Sequence, residues 1–302
     1  MKRFLKTLTV FSIILFAAFI PADFALSRYM RGISTYSMES WKEIMEGHAS
    51  AEILFQGNSR AFNACDKEVL DSIVGRSSFN AALIGEQFML QDFRYRMYRK
   101  NNSKPKLIVQ FVDLYFLAPV TSISDPVSFL PWMWDKDFFL GLRFVGGLLF
   151  LRESAPLVRY HGSRPWMYYK YPRMTQDGYY MVRDNDFHFD RESIGSFVYW
   201  EETDLAFRDF LGRLSDDGIK TVLVMAPLHE NFKFREGEIE RMEQYFNSIS
   251  EEYGIPFYNC ISMEIMHDST YFQDKGHLNL KGAKMFTDSL SHFLIDNGLF
   301  ED

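Results

Sequence analysis

The segment Ile53-Leu54-Phe55-Gln56-Gly57-Asn58-Ser59-Arg60 sets how the remainder of the chain is read. Its apolar run predicts a buried strand that stops on a glycine, and a small polar turn follows that carries a serine. Ala61-Phe62-Asn63-Ala64 then opens a predicted helix continuing through Glu68, Val69, Leu70 and Ile73. A serine on a strand-to-helix turn holds its hydroxyl out at the carboxyl edge of a sheet. The N–H groups of the helix start lie beside it, where they favour a developing negative charge. Such a serine needs a base, and the chain supplies a candidate late, in Asp274-Lys275-Gly276-His277.

Outward from that turn, apolar runs alternate with amphipathic ones. Ser77 to Gly85 predicts a second short strand ending in a glycine turn. Glu86 to Lys100 predicts a helix, with Phe88, Met89, Phe93 and Met97 at helical spacing. Its basic residues Arg94, Arg96, Arg99 and Lys100 suit a helix C-terminus and are expected to be solvated. Lys106 to Asp113 is apolar enough for a central strand of a parallel sheet. Further on come a helix over Asp204–Leu214, a strand over Lys220–Pro227, a helix over Glu238–Tyr253 and a strand over Ile255–Cys260. A closing helix spans Asn279–Asn297. Strands alternating with helices imply an α/β fold of flavodoxin-like, three-layer type: about five parallel strands with helices on both faces.

Residues 114–203 break this rhythm. Pro119, Pro126 and Pro131 interrupt the first part, and Trp132, Trp134 and the run Trp166-Met167-Tyr168-Tyr169-Lys170-Tyr171 make it aromatic. The apolar segment from Phe138 to Leu151 is too short to span a membrane. An insertion of this length after the third strand is expected either to cover a ligand crevice at the carboxyl edge or to pack as a structural subdomain.

The amino terminus carries Lys2, Arg3 and Lys6 before an apolar run from Leu8 to Ile20, extended past Pro21 by Phe24-Ala25-Leu26. Basic residues ahead of an apolar run direct export. Neither Ala22 nor Ala25 has a small residue at minus three, so residues 1–26 are expected to stay as a signal anchor, with a cleaved signal peptide as the alternative. Residues 27–50 then form a polar spacer, and the domain over 51–302 lies outside the cytoplasm. The formal net charge of −7 over 302 residues argues against a nucleic-acid partner. Two cysteines, Cys65 and Cys260, are too few for a disulfide scaffold or a cysteine-built metal site. His229-Glu230 is no zinc motif, because position 233 is Lys, and His161 and His188 lie far apart in the insertion. No metal and no cofactor is expected.

Ester chemistry by nucleophilic catalysis needs a serine, a base in hydrogen-bond reach and an acid that orients the base. Ser59, His277 and Asp274 supply those types. Chain order excludes the α/β-hydrolase elbow, in which the nucleophile follows a mid-sheet strand and the acid sits on a loop apart from the histidine. With Gly57-Asn58-Ser59 first, Asn80 to Gly85 second and Asp274 to His277 last, followed by Leu278-Asn279 and Gly282-Ala283, the chain resembles the SGNH/GDSL hydrolase family. Asn58 stands where that family usually has Asp. The resemblance implies an oxyanion hole from the backbone N–H groups of Ser59 and Gly85. Its third block is Gly-x-Asn-Asp, but Gln110-Phe111-Val112-Asp113 stands there, so Val112 replaces the usual oxyanion donor. Asn58 and Arg60 are candidate substitutes for it.

The anchor, the altered third block and the aromatic insertion are similar to SGNH-like proteins of exopolysaccharide O-acetylation and teichoic-acid D-alanylation. That similarity implies acyl transfer or hydrolysis on O-acyl, chiefly acetyl, esters of a cell-surface glycan, alongside a membrane-bound acyltransferase as partner. The alternative is a degenerate member that binds a glycan or a partner in such a complex. A lipid-directed esterase is a third reading.

Overall fold

A computed structural model of the protein describes residues 1–32, 36–123, 126–145 and 194–301. His161, His188, the Trp166–Tyr171 run and most of the insertion therefore lie outside the described residues. The chain forms two compact units, one of Met1–Lys42 with Thr121–Gln176 and one of Glu43–Val120 with Asp177–Asp302.

The larger unit is built on a parallel five-stranded sheet. Its strands are β1 (Ile53–Gln56), β2 (Ser78–Asn80), β3 (Leu107–Phe111), β5 (Lys220–Met225) and β7 (Phe257–Asn259), ordered β2-β1-β3-β5-β7. Short pairs flank it: β4 (Ile194–Gly195) with β6 (Lys233–Phe234), and β8 (Phe272–Asp274) with β9 (His277–Leu278). β1, β3 and β5 are buried on both faces, as their uninterrupted apolar runs require. In register, Phe55 lies beside Val109 and Gln110 beside Leu223, so odd and even positions of β3 feed different layers.

One layer holds α3 (Ser59–Ala64), α4 (Lys67–Val74) and α10 (Leu280–Asp296). Phe286 of α10 meets Phe111 at 6.1 Å between ring centres. Thr287, fully buried on α10, accepts from Asp66 N–H at 2.9 Å and donates to the Ala64 carbonyl at 3.0 Å. This one side chain satisfies two backbone groups in the break between α3 and α4. The single helix expected after Ser59 is thus two, because Asp66 caps the second through Val69 N–H.

The opposite layer holds α5 (Phe88–Asn101), α8 (Glu201–Asp216) and α9 (Glu238–Tyr253). Phe88, Phe116, Phe207, Phe210 and Phe246 interlock there, with ring centres 4.8–5.9 Å apart in mostly edge-on contacts. The expected solvated basic face of α5 is corrected in part. Arg94 is buried, while Arg96 pairs with Asp92 at 3.3 Å and Arg99 with Asp217 at 3.7 Å. Cys65 and Cys260 are separate buried thiols, and burial raises both pKa values.

Order β2-β1-β3 means the chain leaves β1 toward one edge of the sheet and returns on its other side. The carboxyl ends of β1 and β3 therefore open a crevice at a topological switch point, where ligands of such sheets bind. Ser59 follows β1 there, and Asp113 follows β3.

Candidate active site

Gly57 ends β1 because nothing larger fits. A β-carbon on it would lie 2.4 Å from the β-carbon of Ala61 and 2.8 Å from that of Phe111. Its absence lets α3 begin directly over the sheet, with Asn58 as N-cap and Ser59 as the first helical residue. The serine is therefore inside the helix start rather than ahead of it. Asn63, one turn on, donates from its side-chain amide to the Ser59 carbonyl at 2.8 Å and fixes that turn.

The partner loop is held as firmly. Asn279 caps α10 by accepting from Gly282 N–H, and its amide donates to the carbonyls of Thr270 and Phe272. A β-carbon on Gly282 would meet the Tyr271 carbonyl oxygen at 2.1 Å, so the 270s loop lies directly on the helix start. The β8–β9 turn then presents Asp274 and His277 on one side.

Three side chains predicted from sequence come together in a line. Ser59 Oγ is 2.8 Å from His277 Nε2, and His277 Nδ1 is 2.9 Å from each oxygen of Asp274. Burial acts to raise the Asp274 carboxyl. The hydrogen bond and charge of His277, with the Gly276 N–H at 2.7 Å, outweigh it and hold the pKa below its usual value. An ionised carboxylate only accepts, so Nδ1 carries the imidazole proton and Nε2 is left to accept from the serine hydroxyl. All three groups are partly accessible.

The other predicted residues take distinct places. Gly85 lies in the loop after β2, which is tied to the nucleophile turn by Leu83 N–H donating to the Gly57 carbonyl at 3.2 Å; its φ of +73° suits glycine. Asn58 accepts from Arg60 N–H at 3.0 Å through Oδ1 and donates from Nδ2 to Asp113 Oδ2. Asp113 Oδ1 accepts from Tyr115 N–H at 2.8 Å. Val112 is buried, with its N–H bonded to the Val224 carbonyl at 2.9 Å, and Asp113 is the side chain of that block that reaches the nucleophile turn. Arg60 is half-buried with its guanidinium 5.2 Å from the centre of the Phe232 ring. Burial lowers its pKa, while the charges of Asp113, Tyr115 and Asp274 pull it back up. Its Nη1 is buried and makes no hydrogen bond among the described residues.

Sequence reasoning missed Asn63, Phe232 and the Asn58–Asp113 bond. The spacing of Asn63, one helical turn after Ser59, was the only local sign of the first. Phe232 arrives from the loop before β6, with nothing in sequence to place it. No cluster of metal-ligating side chains occurs among the described residues.

No family model matches the chain, and no curated protein matches it. Solved structures of similar shape include a protein assigned to the lipolytic G-D-S-L family from Desulfitobacterium hafniense, at 10% identity, covering 80% of this chain and 98% of that one, with a TM-score of 0.41. A protein described as an acylhydrolase from Bacteroides fragilis shares 11% identity over 87% of this chain and 95% of its own, with a TM-score of 0.42. A GDSL-like lipase from Bacteroides thetaiotaomicron also shares 11%, over 87% of this chain and 100% of its own, with a TM-score of 0.43. At such identities and TM-scores these likenesses carry nothing about activity, which rests on the side chains above.

Proposed function

We propose that the protein is an extracytoplasmic SGNH-type serine esterase or acyltransferase acting on O-acyl esters of a cell-surface glycan. The observation that carries the chemistry is the Ser59–His277–Asp274 line, with spacings of 2.8 and 2.9 Å. Ser59 Oγ attacks the ester carbonyl while its proton passes to His277 Nε2. Asp274 holds the imidazole and offsets its positive charge without taking the proton. The oxyanion is received by the N–H groups of Ser59 and Gly85 and by the amide of Asn58, which Asp113 aims. Collapse expels the alcohol, protonated by His277, and leaves an acyl-serine that water or a sugar hydroxyl then releases. The glycan and the membrane-bound acyltransferase partner follow from the family resemblance.

Detergent-solubilised full chain should hydrolyse 4-nitrophenyl acetate and be labelled at Ser59 by a fluorophosphonate, and Ser59→Ala should abolish both. Hydrolysis unchanged in Ser59→Ala would overturn the assignment. A folded wild type that neither reacts nor hydrolyses would instead establish the degenerate, binding-only alternative, which Val112 in place of the usual oxyanion donor favours.

A further inference from the structure

The smaller unit shows that the amino-terminal helix belongs to the folded protein. α1 spans Lys2–Arg31, running through Pro21 without ending. Thirty residues at 1.5 Å each make about 45 Å, against a hydrocarbon core of about 30 Å. Lys2, Arg3 and Lys6 take up part of the surplus at the amino end, and toward the carboxyl end the helix changes character. Up to Ile20 its large apolar residues, such as Phe11, Ile13 and Ile14, are exposed, and the apolar window is almost wholly unburied. From Asp23 onward one stripe is covered: Asp23, Ser27 and Met30 are all buried, at spacings of four and three that place them on one face.

The segment Leu130–Trp134 packs on this stripe. Trp134 donates its indole N–H to Asp23 Oδ2 at 2.7 Å and stands edge-on to Phe24, with ring centres 5.6 Å apart. Arg31 donates twice to the Pro131 carbonyl, at 3.0 and 2.8 Å, and its guanidinium lies 4.3 Å from the centre of the Trp132 ring. Leu130 packs with Met30 and Met38, and Leu26 joins them. Aspartate facing lipid at the bilayer centre costs about 2.5–3.5 kcal/mol, and tryptophan concentrates where lipid meets water. Asp23 under an indole N–H, immediately beyond an exposed apolar run, marks that boundary.

We infer that α1 is a permanent anchor whose outer end is clasped by a collar, Leu130–Trp134, that sits in the interface of a phospholipid bilayer. Removal of residues 1–22 or 1–25 as a leader would cut the helix at the collar, and the longer cut would strip Asp23 and Phe24 from Trp134. The collar is a reason for retention that does not depend on any reading of the catalytic groups.

The experiment uses the full chain with its native amino terminus, isolated from membranes. Intact mass and amino-terminal sequencing should show a chain beginning at Met1 or Lys2, and a chain beginning at Asp23 or Leu26 overturns the inference. Depth is read with a nitroxide at Ile20→Cys or Tyr29→Cys in phosphatidylcholine vesicles. Both positions are exposed and outside the collar contacts, and the native cysteines are buried. The label at 20 should relax preferentially with oxygen and the label at 29 with an aqueous nickel chelate. The same preference at both positions would place the collar away from the interface and overturn it.

Discussion

Asn58 does two jobs that substitution can separate. Its Oδ1 caps α3 by accepting from Arg60 N–H, and its Nδ2, bonded to Asp113, is the side-chain donor assigned to the oxyanion. Asn58→Ala removes both. Loss of the cap costs about 0.5–2 kcal/mol of stability. Loss of one oxyanion donor costs about 2.7–4 kcal/mol of transition-state stabilisation, a fall of about 10²–10³ in kcat. Asn58→Ser keeps a capping oxygen but has no amide to donate. It should therefore unfold within about 0.5 kcal/mol of wild type in urea while showing the same loss of kcat as Asn58→Ala. The assay is kcat on 4-nitrophenyl acetate beside urea midpoints for the two variants. Asn58→Ser with wild-type kcat would refute the donor role and leave Asn58 as a cap. A swapped pair, Asn58→Asp with Asp113→Asn, restores an amide–carboxylate bond with the donor on the β3 side. It should recover part of the activity that Asn58→Asp alone loses.

Asp274→Asn should lower kcat by about 10⁴ with the fold retained, because an amide cannot hold the imidazole in the tautomer whose Nε2 accepts from Ser59. The folded Asp274 pKa is depressed, so its stabilising contribution is present above the ordinary value of 3.8 and lost as pH falls through the lower folded value. The melting temperatures of wild type and Asp274→Asn should converge over that window. Thr287→Val leaves the Asp66 N–H and Ala64 carbonyl buried without a partner, at about 1–3 kcal/mol for each, and urea unfolding should show the loss. His229 is buried beside Phe272, its backbone N–H donates to the Lys275 carbonyl, its Nδ1 accepts from Asn231 N–H at 3.2 Å, and burial depresses its pKa. The unfolded chain then binds a proton that the folded chain resists, so stability falls as pH drops below 6.5. His229→Asn should flatten that slope in melts between pH 7.5 and 5.5.

Sequence alone determined the chain order of the five parallel strands and of the long helices between them, because apolar runs and amphipathic periods are local properties of side chains. The two-residue and three-residue strands β4, β6, β8 and β9 are too short to leave such a pattern. It also marked Ser59, Asp274 and His277, whose residue types and local turns are recognisable without knowing what lies across the fold. That Cys65 and Cys260 are separate buried thiols was decided by the structure, since two cysteines in sequence leave a pairing open. The break at Asp66 was less legible, since an aspartate in an apolar-periodic run reads equally as a surface position until Thr287 arrives from a helix more than two hundred residues away. Arg94 misled for the same reason: a basic residue among basic residues looks solvated until packing buries it.

Tertiary structure decided the rest. Whether Ser59 and His277 meet depends on the sheet order and on the seating of α10 against α3, which no local pattern encodes. Val112 marked the missing donor in sequence, yet the structure buries it and brings Asp113 to Asn58 instead, a contact between the ends of adjacent parallel strands. The collar on α1 is likewise a long-range fact, joining residues 23 and 134. Hydrophobic period is read one residue at a time; hydrogen bonds between distant polar groups exist only once the backbone has brought them within 3 Å of each other.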